Sequence, residues 1–181
     1  MRLFVAAEVP GEVRRALAGA VEAWRDAASD AGDGWRWTRP EGWHVTVAFL
    51  GEVDESEVEP VIDAVRAGVA GTSALSLRLG EVGRFGSQVL HVAVDDDPPG
   101  SLAGIGRGVQ TALAEAGLPV QQRDVRGHLT LARSSRRRRI DAVPRLETPE
   151  RTWHVGEVGL YESRPQRGGA RYGLLASVGL G

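Results

Sequence analysis

A short pattern that occurs twice constrains the fold of this chain more than any other feature. The stretch HVTVAFLG begins at His44, and HLTLARSS begins 84 positions later at His128. Each stretch places a threonine two residues after the histidine, within an otherwise apolar run. Short apolar runs rich in β-branched residues favour buried strands. The sequence therefore predicts two related strands, one in each half of the chain.

The segments around these two strands predict a mixture of helices and strands without regular alternation. The predicted order is β-α-β-α-β-β-α-β-β-β, and each repeated strand follows one of the longer helices. We therefore expect an α+β fold with antiparallel pairing, formed by residues 1–181 as a single domain with two lobes. Helices are predicted at 13–28, 57–69 and 101–116, and strands at 2–7, 44–50, 75–82, 89–94, 128–132, 153–163 and 170–178.

Composition limits the kinds of protein that the chain can be. Of its 181 residues, 42% are hydrophobic and 25% are charged, which is typical of a globular protein with a sizeable core. It has no cysteine, which excludes disulfides and thiolate metal sites. No apolar run approaches the roughly 20 residues of a membrane span. We expect a cytoplasmic monomer with no membrane partner.

The charge pattern allows a local phosphate site. All 22 basic residues are arginine, and the formal net charge is −2, which argues against a broad nucleic-acid surface. A guanidinium group nevertheless binds phosphate well, through planar bidentate hydrogen bonds. The run Arg136–Arg139 has two interpretations, either a patch that attracts the phosphates of a ligand or an ordinary solvated loop.

Alternation along a strand predicts which side chains accompany each histidine, because every second residue points to the same face. Two such faces turned toward each other would surround one small cavity with two imidazoles and two hydroxyls. The first face is predicted to hold His44, Thr46, Ala48 and Leu50, and the second to hold His128, Thr130 and Ala132.

This set of groups suits the cleavage of a phosphate ester without a metal. One imidazole can act as a base and the other as an acid, because the ordinary pKa of histidine is close to neutral. Threonine hydroxyls can donate hydrogen bonds to the phosphate oxygens. Arg133 is the nearest candidate cation, but strict alternation places it on the opposite face unless the strand bulges near Ala132. His91 and His154 lack the threonine, and we interpret both as structural or surface residues.

The two motifs resemble a known family. HVTVAFLG and HLTLAR are similar to the paired motifs of the two-histidine phosphoesterases, specifically the RNA 2′,3′-cyclic phosphodiesterases, also called 2′-5′ RNA ligases. The opening MRLFVAAEVP and the late LYESRPQRGGARYGLL extend the resemblance over essentially the whole chain. It implies a bilobal, pseudo-twofold fold, with two antiparallel sheets facing a central cleft and helices on the outer faces.

The resemblance also implies an activity and a role for each site residue. The expected reaction hydrolyses a 2′,3′-cyclic phosphate, on an RNA end or a nucleotide, to a 2′-phosphate without metal or other cofactor. His44 would be the proton donor to the departing 3′ oxygen, and His128 would be the proton acceptor that activates water. Thr46, Thr130 and Arg133 would hold the phosphate.

Three alternatives remain open at this point. The same residues could catalyse the reverse reaction, 2′-5′ ligation, or the chain could bind RNA or nucleotides without catalysis. A zinc hydrolase is the third, although the four histidines lack the close spacing of common zinc motifs.

The chain departs from the family pattern just before the second motif. It has Val-Arg-Gly at residues 125–127, where the family that it resembles often has an aromatic residue and a proline. How a base would be held there is not predicted.

Overall fold

A computed structural model describes residues 1–27, 35–134, 147–166 and 169–181, so the Arg136–Arg139 run lies outside the described residues. The described helices are α1 (Gly11–Ala27), α2 (Val58–Val69) and α3 (Ser101–Glu115). The described strands are β1 (Arg2–Glu8), β2 (Trp35–Trp37), β3 (His44–Glu52), β4 (Leu75–Phe85), β5 (Val89–Asp97), β6 (His128–Ser134), β7 (Thr152–Val155), β8 (Glu157–Gln166) and β9 (Gly169–Gly179).

The strands form two antiparallel sheets. One has four strands in the order β3-β1-β8-β9, and the other has five in the order β2-β6-β5-β4-β7. The predicted α+β class with two antiparallel sheets is therefore confirmed. In both halves of the chain the motif strand pairs with the strand that precedes the helix, β3 with β1 and β6 with β5. This shared arrangement is what a duplicated unit would produce.

The helices form where the sequence provides an apolar face and a suitable start. In α1, Val13, Leu17 and Val21 recur every four residues, and all three are buried. Before α2, the Asp54 side chain accepts a hydrogen bond from the Ser56 backbone N–H at 2.9 Å. The Glu57 side chain in turn accepts one from the Asp54 backbone N–H, which completes a capping box.

Helices α2 and α3 pack against each other through glycine. A Cβ atom added to Gly68 would lie 2.6 Å from Cα of Val109, and one added to Gly108 would overlap the carbonyl oxygen of Gly68. The two backbones are therefore in direct contact at this crossing. Both helices also contact the four-stranded sheet at its two edge strands, α3 at β3 and α2 at β9.

One continuous apolar core joins the two sheets. It includes Val47 of β3, Leu131 of β6 and Leu160 of β8, each with an exposed fraction of 1% or less. The sheets also meet through a hydrogen bond from the Trp153 indole N–H to the Glu8 carbonyl at 3.2 Å. Within the described ranges, no helix is both long and apolar enough to cross a membrane.

Three details differ from the sequence prediction. Strand β4 continues to Phe85, three residues beyond the strand predicted at 75–82, because Gly83, Arg84 and Phe85 also pair with β5. The segment 153–163 is two strands, β7 and β8, which belong to different sheets. The short strand Trp35–Trp37 was not predicted, since three residues are too few to give a periodic signal.

Candidate active site

Both motif strands carry one extra residue directly after the threonine. In the β1–β3 pair, Ala6 lies opposite Thr46 and Val5 lies opposite Ala48, so Val47 has no partner. An unpaired residue of this kind is a β-bulge, and it moves the side chains after it to the other face of the strand. In β3 this shift extends to a second irregularity at Leu50, which lies between the pairs Phe4–Phe49 and Leu3–Gly51.

The second motif strand has its bulge at the equivalent position. His91 lies opposite Thr130 and Leu90 lies opposite Ala132, so Leu131 has no partner in β5. The first six residues of β3 and of β6 consequently share the same order of buried and accessible positions. The motif thus specifies a bulged strand in both halves.

The bulges correct the faces predicted by simple alternation. Ala48, Leu50 and Ala132 are buried, with exposed fractions of 3%, 4% and 0%, and do not share the accessible face of the histidines. Phe49 and Arg133 occupy that face instead. The sequence predicted that Arg133 could face the cavity only if the strand bulged near Ala132. The bulge lies one residue earlier, at Leu131.

The accessible faces of the two strands border one cavity of about 520 Å³ between the sheets. All five predicted site residues line it: His44, Thr46, His128, Thr130 and Arg133. The cavity wall also contains Arg2, Phe4, Thr38, Phe49, Gln121, Arg123, Ser163 and Tyr172, and it contains no carboxylate from the described residues. Hydroxyl, imidazole and guanidinium groups without acids form a site for an anion.

The two histidines are held by the same backbone contact. Nδ1 of His44 lies 2.8 Å from the carbonyl oxygen of Gly42, and Nδ1 of His128 lies 2.7 Å from that of Arg126. Because a carbonyl oxygen only accepts, the hydrogen of each neutral ring is on Nδ1. Each Nε2 is therefore left to accept a proton, or to donate one when the ring is charged.

The backbone before each histidine explains this contact. A turn at Pro40–Gly42, closed by a hydrogen bond from the Trp43 N–H to the Pro40 carbonyl, directs the Gly42 carbonyl toward His44. Before the second histidine, Gly127 passes so close to β5 that a Cβ atom would overlap the Val94 carbonyl oxygen. Glycine at position 127 is therefore required by packing.

Each imidazole also lies against one or more aromatic rings. The centroid of the His44 ring is 4.6 Å from that of Phe4 and 4.9 Å from that of Tyr172. The His128 ring is 4.9 Å from Phe85, which it contacts edge to face. These contacts restrict the rotation of both rings about their side-chain bonds.

The other two histidines have different environments. His91 has an exposed fraction of 8%, stacks on Phe85 at 4.0 Å, and lies 5.8 Å from the His128 ring. It is therefore a buried neighbour of the site, which agrees with the structural interpretation of this residue and not with the surface one. His154 is exposed on β7, in agreement with its surface interpretation.

Burial and nearby cations favour neutral imidazoles in the cavity. Burial lowers the pKa of His44 to about 4, and the charges of His128, Arg14 and Arg133 act in the same direction. Burial also lowers the pKa of His128, and Arg133 adds to that effect. In both cases the backbone carbonyl acts in the opposite direction. An anion in the cavity would favour the protonated ring by the same electrostatic argument.

Sequence reasoning missed several cavity residues because they are distant along the chain and carry no motif. Arg2 lies at the start of β1, and Arg123 lies in the segment between α3 and β6. No three histidine, aspartate or glutamate side chains in the described part of the chain are grouped closely enough to hold a metal ion.

Comparison with known proteins identifies the class to which this fold and site belong. The family model described as "2'-5' RNA ligase superfamily" matches residues 13–167. The chain therefore belongs to the 2′-5′ RNA ligase superfamily.

Individual relatives are distant in sequence. An RNA 2′,3′-cyclic phosphodiesterase of Geobacillus stearothermophilus is 26% identical over 138 residues, which cover 72% of this chain and 43% of the relative. A protein of the same name from Bacillus subtilis is 26% identical over 102 residues, covering 54% of this chain and 55% of the relative. The matched region thus spans about half the length of these curated relatives.

The structural similarity extends over nearly the whole chain. The protein TT0787 of Thermus thermophilus superposes with a TM-score of 0.75 at 25% identity, covering 99% of this chain and 98% of that one. E. coli LigT in its apo form gives a TM-score of 0.75 at 27% identity, with 99% and 96% coverage. A second E. coli LigT structure, complexed with 3′-AMP, gives 0.73 at 25% identity, with 99% and 97% coverage.

Proposed function

We propose that this chain hydrolyses 2′,3′-cyclic phosphates at RNA ends to 2′-phosphates. The observation that carries the proposal is the matched pair of bulged strands, which bring two His-x-Thr units to one cavity. In both units Nδ1 is bonded to a carbonyl oxygen, which leaves Nε2 for proton transfer. The names of the two curated relatives support the same reaction. Residues 1–181 would act as one two-lobed unit, since both sheets contribute to the cavity.

In the proposed reaction, water attacks phosphorus opposite the 3′ oxygen. Nε2 of His128 takes a proton from the water as the new P–O bond forms. Nε2–H of His44 gives its proton to the 3′ oxygen as the P–O3′ bond breaks, and the product carries a 2′-phosphate. A well-placed proton transfer of this kind contributes about 10² to 10⁴ in rate.

The remaining site residues would stabilise the charge on phosphorus. The hydroxyls of Thr46 and Thr130 would donate hydrogen bonds to the non-bridging oxygens, and these bonds strengthen as charge develops in the transition state. Arg133 would add a fixed positive charge with planar geometry suited to phosphate. If an RNA 5′-hydroxyl replaced water as the nucleophile, the same two proton transfers would break the P–O3′ bond and form a 2′-5′ phosphodiester, which is 2′-5′ ligation.

A product analysis tests the proposal. The purified protein is incubated in EDTA with an RNA oligonucleotide that ends in a 2′,3′-cyclic phosphate, and the position of the product phosphate is determined by phosphorus NMR. We expect a 2′-phosphate. Intact binding without turnover would favour a binding module, and turnover only after zinc is added would favour a metallohydrolase. Adding RNA with a 5′-hydroxyl would show whether ligation competes.

A further inference from the structure

The cavity has more positive charge than one cyclic phosphate needs. Arg2, Arg123 and Arg133 all line it, and none of the three forms an ion pair with a carboxylate in the described ranges of the chain. A cyclic phosphodiester carries a single negative charge. Arg133, together with one protonated imidazole, already exceeds that charge, so two further cations remain for other anionic groups.

Arg123 is held in place by a buried contact. Gln110 of α3 has an exposed fraction of 5%, and its side-chain amide bonds both backbone groups of Arg123. Nε2 of Gln110 donates to the Arg123 carbonyl at 2.9 Å, and Oε1 accepts from the Arg123 N–H at 2.9 Å. Since a buried amide is costly unless its groups are bonded, this contact fixes the position of the segment.

The same segment is also attached to the first motif strand. The backbone N–H of Gln121 donates to the carbonyl oxygen of Phe49 at 2.8 Å, just beyond the bulge of β3. Gln121 and Arg123 are two residues apart, and both line the cavity, as expected for an extended segment. Arg123 is thus presented toward the cavity by a segment bonded on two sides.

A second cavity of about 320 Å³ adjoins the first beyond Arg123. The two cavities share five residues: Thr46, Phe49, Gln121, Arg123 and His128. The wall of the second cavity also contains Phe85 and Val125, together with one carboxylate, Asp124, and one further guanidinium, Arg126. Phe49 and Phe85 are 41% and 37% exposed. Exposed aromatic rings beside a cation form a typical surface for a nucleobase, because every base has a face that can stack on such a ring.

We propose that the second cavity binds the nucleotide on the 5′ side of the cyclic end, with Arg123 on the phosphate that links the two nucleotides. This inference rests on the proposed function, because it assumes that the cyclic phosphate lies at the two His-x-Thr units. It identifies the substrate as an RNA chain of at least two nucleotides and disfavours a free cyclic mononucleotide, which has no linking phosphate.

Three substrates isolate the contact with the linking phosphate. The first is adenosine 2′,3′-cyclic phosphate. The second is the dinucleotide ApA with the same cyclic end. The third is that dinucleotide with an uncharged methylphosphonate in place of the linking phosphate. We expect kcat/KM of the charged dinucleotide to exceed that of the mononucleotide by about tenfold or more, and the methylphosphonate to lose most of that advantage.

Two variants complete the experiment. Arg123→Gln is expected to lower kcat/KM for the charged dinucleotide by about tenfold and to change the other two substrates much less. Arg107→Gln is the matched control, because Arg107 is exposed on α3 and lines neither cavity. It should keep the wild-type ratio among all three substrates.

The outcomes separate this inference from the proposed function. If none of the three substrates is turned over, the proposed function fails. If all three are turned over equally well and Arg123→Gln has no effect, the proposed function stands and the inference is wrong. An equal loss on the mononucleotide and the dinucleotide in Arg123→Gln would also overturn it, because Arg123 would then contact the terminal nucleotide.

Discussion

At the scale of single residues, the two cavity histidines share a backbone bond and differ in their neighbours. His44 lies against Phe4 and Tyr172, whereas His128 lies against Phe85 and beside His91. The bond at Nδ1 gives both rings the same tautomer. Their different surroundings allow the two rings to serve opposite proton transfers in the proposed reaction.

Removing either imidazole removes one proton transfer. We expect His44→Ala and His128→Ala each to lower kcat by at least about 100-fold, measured by single turnover on an oligonucleotide with a cyclic end. His154→Ala is the control, since His154 is exposed on β7 and does not line the cavity. Circular dichroism should show an intact fold in all three. Near-normal turnover in either cavity variant would contradict paired acid–base catalysis.

The lowered pKa values predict an acidic pH optimum. Burial lowers the pKa of His44 to about 4 and also lowers that of His128, from an ordinary value of 6.5. The active form needs one protonated and one neutral ring, so its fraction falls above the higher pKa and below the lower one. Since kcat/KM reports the free enzyme, we expect its maximum on the acid side of pH 6.5.

The dependence of kcat on pH should differ from that of kcat/KM. Bound phosphate opposes the lowering of the imidazole pKa values, so the kcat maximum should lie at higher pH. The two limbs of each profile belong to the coupled pair of rings. A maximum of kcat/KM near pH 8 in a series of buffers at constant ionic strength would show that neither ring titrates as its surroundings indicate.

The sequence predicted the cavity residues that belong to the repeated motif, and it missed those that come from other parts of the chain. His44, Thr46, His128 and Thr130 stand out because the same spacing occurs twice. No such spacing marks Arg2, Gln121 or Arg123. Arg2 reaches the cavity through the pairing of β1, and the other two reach it through the segment that Gln110 holds. Such residues are found only from coordinates, because a segment held by one buried amide has no periodic pattern.

At the scale of elements, the bulges determine which side chain after the threonine faces the cavity. The sequence suggested a bulge from the position of Arg133 alone. It contained no signal for the equivalent bulge in β3, because Phe49 is apolar and fits either face of a strand. A bulge is defined by the register of a strand against its partner strand. The alternation of side chains within one strand carries no information about that register.

The crossing of α2 and α3 gives a prediction about stability. Gly108→Ala places a Cβ atom on the Gly68 carbonyl, and we expect the free energy of unfolding to fall by about 1–3 kcal/mol. Gly104→Ala is the matched control on the same helix, where a Cβ atom has no neighbour within 4 Å. It should raise the free energy of unfolding by up to about 1 kcal/mol through helix propensity.

Urea denaturation of both variants measures these changes. Equal stability of Gly108→Ala and the wild type would mean that the two helices separate at little cost. Because α3 also carries Gln110, the Gly108→Ala variant should in addition bind a dinucleotide substrate less well than the Gly104→Ala variant does.

At the scale of the whole molecule, the continuous core predicts that the two sheets unfold together. Val47, Leu131 and Leu160 come from both sheets and belong to one buried cluster. Far-UV circular dichroism and tryptophan fluorescence should therefore give the same midpoint in urea. Two separate midpoints would mean that the lobes are independent folding units and would contradict a single domain over residues 1–181.

The class of fold could be predicted from the sequence, but the strand order could not. The repeated motif and the three helical segments indicated an α+β fold with a duplicated unit. Strands β7 and β8 belong to different sheets although only one residue, Gly156, separates them. Sequence patterns describe each strand by itself, whereas neighbours in a sheet are chosen by the packing of the whole core.

The paired bulges place Phe49 and Arg133 at equivalent positions on opposite walls of the cavity. Two His-x-Thr units related by near symmetry would by themselves accept a cyclic phosphate in either of two orientations. In the proposed reaction, an aromatic ring on one wall and a guanidinium on the other would remove that ambiguity, because the nucleobases of the RNA end favour the ring and the charged oxygens favour the guanidinium. A duplicated scaffold would thereby acquire polarity, which the proposed reaction needs in order to distinguish the 2′ oxygen from the 3′ oxygen of one cyclic phosphate.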